Sequence, residues 1–187
     1  MARLPYVDPA NAPDRVREAL EAIPPLNIFR MLAHAETAAE PYLRFGGAIL
    51  SRLQLDPKLR ELAILQVAAQ AEAEYEWVQH ESIGRMVGLS EEQIAAVREG
   101  RIDDSDALSE PERAVLAFSA EVVSRPRASD PVFDELARHL SPREIVELLL
   151  TVGNYLMLAR VMTTLDLELD EPVGERTIEA ARSPEAG

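Results

Sequence analysis

The 187-residue chain contains no cysteine. That absence removes disulfides, thiolate metal sites and cysteine nucleophiles, because each needs a sulfur anion. Lysine is almost absent too: Lys58 is the single one, and arginine supplies the other basic groups. The formal net charge is -14, a surface that repels phosphate backbones and anionic lipid, so no nucleic-acid and no membrane partner is expected. Aromatic residues make up 5%, with one tryptophan. The longest apolar run, Leu148 to Met162, is interrupted by Asn154 and Arg160 and is shorter than the ~20 apolar residues of a spanning helix. The opening Met1-Ala2-Arg3-Leu4-Pro5-Tyr6 has no apolar signal core, so a cytoplasmic location is expected.

What is present is a helix-forming composition, rich in leucine, alanine, arginine and glutamate, with 47% hydrophobic residues. One domain spanning residues 1–187 is expected, long enough to bury a core of its own. Turn and cap residues divide it clearly. Asp56-Pro57 reads as an N-cap with proline at the first helical position. Ser90-Glu91-Glu92-Gln93 and Ser141-Pro142-Arg143-Glu144 read as capping boxes, the second opening a long C-terminal helix at about 142–165. Gly88 and Gly100 read as stops. No stretch alternates like a strand, so the class is all-α, with about eight or nine helices. The core motif region is 42–120, and the acidic tail 166–187 is expected to fray.

Two successive segments carry ionisable groups where apolar ones are expected. Residues 60–69 are apolar almost all round, yet include Glu61. In the next segment, Glu76 and His80 stand one turn apart and share a stripe with Ile83, while Tyr75, Gln79 and Ser82 lie on the opposite side. Charged groups on burying faces are costly unless paired or useful. A buried Glu–His pair that only fixes helix orientation accounts for any two of these residues, and a first-turn carboxylate favoured by the helix dipole accounts for Glu61. His34 and His139 read as ordinary helix-end histidines, and Trp77, Met157 and Met162 as packing residues.

The spacing of Glu61, Ala73, Glu76 and His80, with Tyr75 also in place, resembles the alkyl hydroperoxidase D and carboxymuconolactone decarboxylase superfamily. The flanking Arg60-Glu61-Leu62-Ala63-Ile64-Leu65 and Tyr75-Glu76-Trp77-Val78-Gln79-His80-Glu81 are similar to its cysteine-free members. Weaker likeness extends over Asn27 to His34 and Val152 to Arg160. The resemblance implies an alkyl hydroperoxidase D-like helical bundle and a homo-oligomer, trimeric or hexameric. The hydroperoxidase members use a Cys-x-x-Cys pair, and here those positions are Ala73 and Glu76, so thiol peroxidase activity is excluded.

The resemblance also implies a carboxy-lyase-like enzyme needing no cofactor, which decarboxylates or isomerises a small organic acid or lactone by acid–base chemistry. In that reading His80 donates or shuttles the proton, oriented by Glu76 or Glu61. Tyr75 adds a hydrogen bond only if the turn into its helix brings it round. Arg160 clamps a substrate carboxylate or pairs with Glu61 or Glu76. Two other readings stand beside this one. One is a peroxidase-related homologue that has lost the redox cysteines, with Glu61, Glu76 and His80 as ligands to a metal. The other is a non-catalytic oligomeric binding protein.

Overall fold

The computed structural model describes residues 1–182, all helix and connecting chain. Within them, ten α-helices follow a short 3-10 turn at Pro9–Asn11. They are α1 (Asp14–Glu21), α2 (Asn27–Leu32), α3 (Glu36–Ser51), α4 (Pro57–Gln70) and α5 (Glu74–Met86). There follow α6 (Glu91–Arg98), α7 (Glu110–Ser124), α8 (Asp130–Leu136), α9 (Pro142–Thr164) and α10 (Gly174–Arg182). The all-α class is as the sequence indicates.

Helix α4 is the axis of the bundle. Asp56 caps it, its carboxylate accepting from the backbone N–H of Lys58 at 2.8 Å and of Leu59 at 3.3 Å. Arg60 through Leu65, then Val67 and Ala68, are all buried. A helix apolar on every side must be surrounded, and α5, α6, α7 and α9 pack around it. One core joins Ile64 and Val67 of α4 to Phe118 of α7 and to Leu148 and Val152 of α9. A second joins Leu62 and Leu65 to Trp77 of α5 and Ile94 of α6.

The turn between α4 and α5 decides the site. Glu72 adopts a left-handed backbone conformation, φ 53°, and the N–H of Ala73 returns to the carbonyl of Ala68 at 2.9 Å. A non-glycine residue there costs about 1–2 kcal/mol, which the packing on both sides of the turn offsets. Chain direction reverses at once, so α5 runs back along α4. Gly84 of α5 faces Leu65 of α4 and Leu89, and an added Cβ there would lie 3.0 Å from Leu89 Cδ1 and 3.6 Å from Leu65 Cδ1.

Two expectations need correction. The acidic tail does not simply fray: after Asp166 (φ 51°) the chain crosses α5 as a strap and forms α10, which packs on α3 and α5. The strap passes so close that a Cβ on Gly174 would sit 2.9 Å from Ser82 Oγ. The expected tail beyond Arg182 lies outside the described residues. Secondly, α9 is long and apolar enough to cross a bilayer by length and composition, contrary to the reading of its apolar run as too short. Half of that window is buried inside the fold, against α4 and its neighbours.

Candidate active site

The reversal at Glu72 lays the first turns of α5 beside α4, and His80 meets Glu61. The imidazole Nδ1 lies 2.8 Å from Glu61 Oε2. Arg60, the neighbour of Glu61 in sequence, donates from Nε to Glu61 Oε1 at 2.9 Å and from Nη1 to the Leu50 carbonyl at 2.7 Å. All three side chains are buried, Glu61 completely. The result is a relay of guanidinium, carboxylate and imidazole. A Glu61 carboxylate accepts only, so Nδ1 is the donor, and Nε2 is the nitrogen that carries the lone pair whenever the imidazole is neutral. His80 faces a cavity of about 500 Å³, within the size range of small-molecule sites. The edge of its ring meets Tyr155, with centroids 4.7 Å apart and planes at 83°.

Glu76 lines the same cavity and is a different kind of carboxyl. It is 2% exposed, and neither of its oxygens has a hydrogen-bond partner among the described residues. Burial pushes its carboxyl well above the usual carboxylate range, so it is held as the neutral acid. Two glutamates on adjacent helices thus take opposite roles by environment. Glu61 is ion-paired and Glu76 is desolvated. Paired acids and bases in functional sites are commonly made this way.

Around Glu76 the cavity is finished by Tyr42 from α3, Asn154 and Tyr155 from α9, and apolar side chains including Leu26, Ile83, Leu158 and Met162. Burial raises the phenol of Tyr42, an effect opposed by the neighbouring Asn154 side chain. Tyr155 is raised well above its usual range, first by burial and then by Glu61, Tyr42 and Glu76 nearby. Asn154 Oδ1 is buried without a partner. Arg15, Glu18, Glu40 and Arg44 stand at the wetter rim.

Of the five residues expected from sequence, His80 meets Glu61, and Glu76 lines the same cavity as His80 without contacting either by a hydrogen bond. Tyr75 also lines the cavity, but its hydroxyl is committed elsewhere: it donates to the Asp170 carboxylate of the strap and accepts from the Ile28 N–H at 3.4 Å. Helical periodicity puts Tyr75 and Gln79 on the side away from the buried stripe, and the strap buries that side too. Gln79 donates to the carbonyl of Asp170 at 3.1 Å and accepts from the N–H of Val173 at 3.3 Å. Arg160 is a correction. It is exposed on α9, neither lining the cavity nor pairing with Glu61 or Glu76, because the helical turn carries it to the outer face. Arg60 takes the pairing instead. Among the described residues, no three carboxylate or imidazole groups converge to hold a metal ion, so the Glu61–Glu76–His80 ligand set of the alternative reading is not assembled.

Sequence reasoning missed Tyr42 and Asn154. Asn154 carried the same signal as Glu61, a polar side chain inside an apolar run. Tyr42, in a helix begun with Glu36 and interrupted by Pro41, carried none.

Residues 36–121 match the carboxymuconolactone decarboxylase family. No curated protein matches the sequence. Among solved structures, an uncharacterized peroxidase-related protein of Ralstonia eutropha JMP134 shares the fold with a TM-score of 0.78 and 20% identity, over 98% of this chain and 97% of that one. A variant of the debrominase Bmp8, in complex with 2,3,4-tribromopyrrole, follows with a TM-score of 0.74 and 19% identity, over 97% of this chain and 100% of that one. The ATU0492 protein of unknown function from Agrobacterium tumefaciens has a TM-score of 0.67 and 23% identity, over 74% of this chain and 94% of that one. Likeness at such identities establishes fold rather than chemistry. Residues 36–121 of this cysteine-free chain thus match the carboxymuconolactone decarboxylase family, and the fold as a whole is shared with alkyl hydroperoxidase D-like, peroxidase-related proteins.

Proposed function

We propose that this protein is a cofactor-free acid–base enzyme that isomerises or decarboxylates a small organic acid or lactone. One observation carries the reading: a base, His80, and a neutral acid, Glu76, open into one largely apolar cavity. His80 takes a proton from carbon beside a carbonyl through Nε2, and the resulting imidazolium is stabilised by Glu61 at 2.8 Å. The protonated Glu76 donates to the carbonyl oxygen as negative charge develops there. Return of the proton from His80 to a different carbon completes an isomerisation. In a decarboxylation the carbon–carbon bond breaks first, carbon dioxide leaves, and an imidazolium His80 protonates the enolate.

The superfamily match supports an enzyme of this kind, and the debrominase neighbour supports a small-molecule ligand in the cavity. A thiol route is closed to this chain, which has no sulfur nucleophile. The outward face of α9, with Val146, Leu149, Leu150 and Met157 exposed, supports assembly into a homo-oligomer.

The test is proton exchange. Small lactones and β-keto acids are incubated with protein in deuterium oxide, and loss of the α-proton signal or release of carbon dioxide is followed. The wild-type protein accelerates at least one of these, and His80→Ala loses roughly 10²–10⁴ of that acceleration. Undiminished exchange in both His80→Ala and Glu76→Gln defeats the assignment.

A further inference from the structure

The charged pairs of the cavity lining, among Arg15, Glu18, Glu40 and Arg44, stand at its wetter rim, and two of the buried polar groups have nothing to bond. Glu76 has neither oxygen paired, and Asn154 has an unpaired Oδ1. Both are at least nine-tenths buried, at 2% and 6% exposure, and both line the cavity. Buried polar atoms without partners are rare in native proteins, and a ligand is one common reason for them. The Asn154 side chain lies beside Tyr42, and its Oδ1 is left without a donor. A neutral Glu76 supplies one donor, its O–H, and one acceptor, its carbonyl oxygen.

The charge inventory is as informative. Arg15 and Arg44 are the arginines among the lining residues, and both bond to Glu40 at the rim. Arg60 is spent on Glu61 and the Leu50 carbonyl. Among the described residues no unpaired cation reaches Glu76. A carboxylate brought to this place loses its water and gains no counter-ion, which is strongly unfavourable. The same ligand position is well matched to a neutral group with a carbonyl and an adjacent N–H or O–H.

We propose that the head of the cavity, Glu76 with Asn154, selects an uncharged ring carbonyl compound bearing a neighbouring N–H or hydroxyl, and rejects carboxylates of the same size. The ligand's carbonyl accepts from Glu76, and its donor group bonds Asn154 Oδ1. The apolar ring rests on Ile83, Leu158 and Met162. This selection rests on the reading of the cavity as the substrate site; it keeps the isomerisation of a neutral carbonyl compound from that reading and rules out the decarboxylation of an anionic acid.

Isothermal titration at pH 7 tests it with three probes: oxindole, its N-methyl derivative and indole-2-carboxylate. The first is neutral with both groups, the second lacks the donor, and the third is an anion of similar size. Oxindole is expected to bind roughly tenfold or more tightly than indole-2-carboxylate, and N-methylation to weaken it roughly tenfold. In Asn154→Leu the penalty for N-methylation disappears, a coupling that a merely structural role for Asn154 does not produce. Should that variant fail to fold, the comparison of the three probes on wild-type protein decides alone. Equal or tighter binding of the carboxylate, or no binding of oxindole, overturns the selection. Deuteration of oxindole at C3 is read in the same samples. Binding without His80-dependent exchange defeats the acid–base function and leaves the selection standing; exchange with preference for the anion does the reverse.

Discussion

His80 and Glu61 stand 19 residues apart in the chain, yet their side chains meet at 2.8 Å inside the bundle. Arg60 closes the relay from behind at 2.9 Å. The contact fixes which imidazole nitrogen is free, and therefore which atom can take a proton. It also places two full charges where water does not reach, so each member depends on the others.

Replacing Glu61 by glutamine leaves the Arg60 guanidinium buried without its counter-charge. Breaking a buried pair in this way costs about 3–5 kcal/mol. Urea unfolding is expected to show a loss in this range. The double variant Arg60→Met, Glu61→Met is expected to recover most of it, since the stranded charge is removed.

Glu76 makes stability depend on pH in a stated direction. Its folded pKa is raised above the ordinary 4.5, so between these values the folded state holds a proton that the unfolded state has released. Stability therefore falls as pH climbs from about 4.5 toward the raised value, and the contribution is unchanged below 4.5. Thermal unfolding measured across neutral pH should show this slope for wild-type protein. Glu76→Gln should flatten it and melt higher at the alkaline end. Catalytic activity should hold through this window and fall only as pH passes the raised value, where the folded protein loses the acid.

Tyr75 holds the strap rather than the substrate, through its bonds to Asp170 and Ile28. Tyr75→Phe is expected to cost about 1.5–3 kcal/mol, the range for hydrogen bonds to charged groups. Hydrogen exchange should quicken in the backbone of residues 167–173. A drop in turnover comparable to that of His80→Ala, with the strap unaffected, contradicts this role.

Gly84 of α5 leaves room for the Leu89 side chain that follows the helix. Gly84→Val adds volume against Leu89 and Leu65, and overpacking of this kind costs about 1–3 kcal/mol. The tight contact is with Leu89 rather than with α4, so activity should fall no further than it does in a surface variant of equal stability.

Arg160 points outward, and Arg160→Ala is expected to leave turnover unchanged. A large rise in KM with normal folding contradicts the exposed placement.

Much of the architecture was legible because its signals are local. The caps at Asp56, Ser90 and Ser141 bond within their own first turns, so sequence spacing alone marks α4, α6 and α9. Glu61, Glu76 and His80 were legible for a related reason: polar residues on burying stripes stand out wherever they occur. Arg160 misled by the same rule. An interruption of an apolar run says that a residue is unusual, and only the helix rotation relative to α4 says whether it turns inward. The strap escaped notice because its bonds to Tyr75 and Gln79 join residues more than ninety positions apart.

The sequence by itself determined the helices, the absence of sulfur chemistry, and the three ionisable groups set among apolar neighbours. Those follow from composition and from contacts within a turn or two, which need no knowledge of packing. Only the tertiary structure decided that Glu61 is charged and Glu76 neutral, since both are glutamates on buried stripes. The difference is that Arg60 and His80 reach one carboxyl and nothing among the described residues reaches the other. Electrostatic environment is a property of neighbours brought together in space, and it is the neighbours that make one residue a counter-ion and the other an acid.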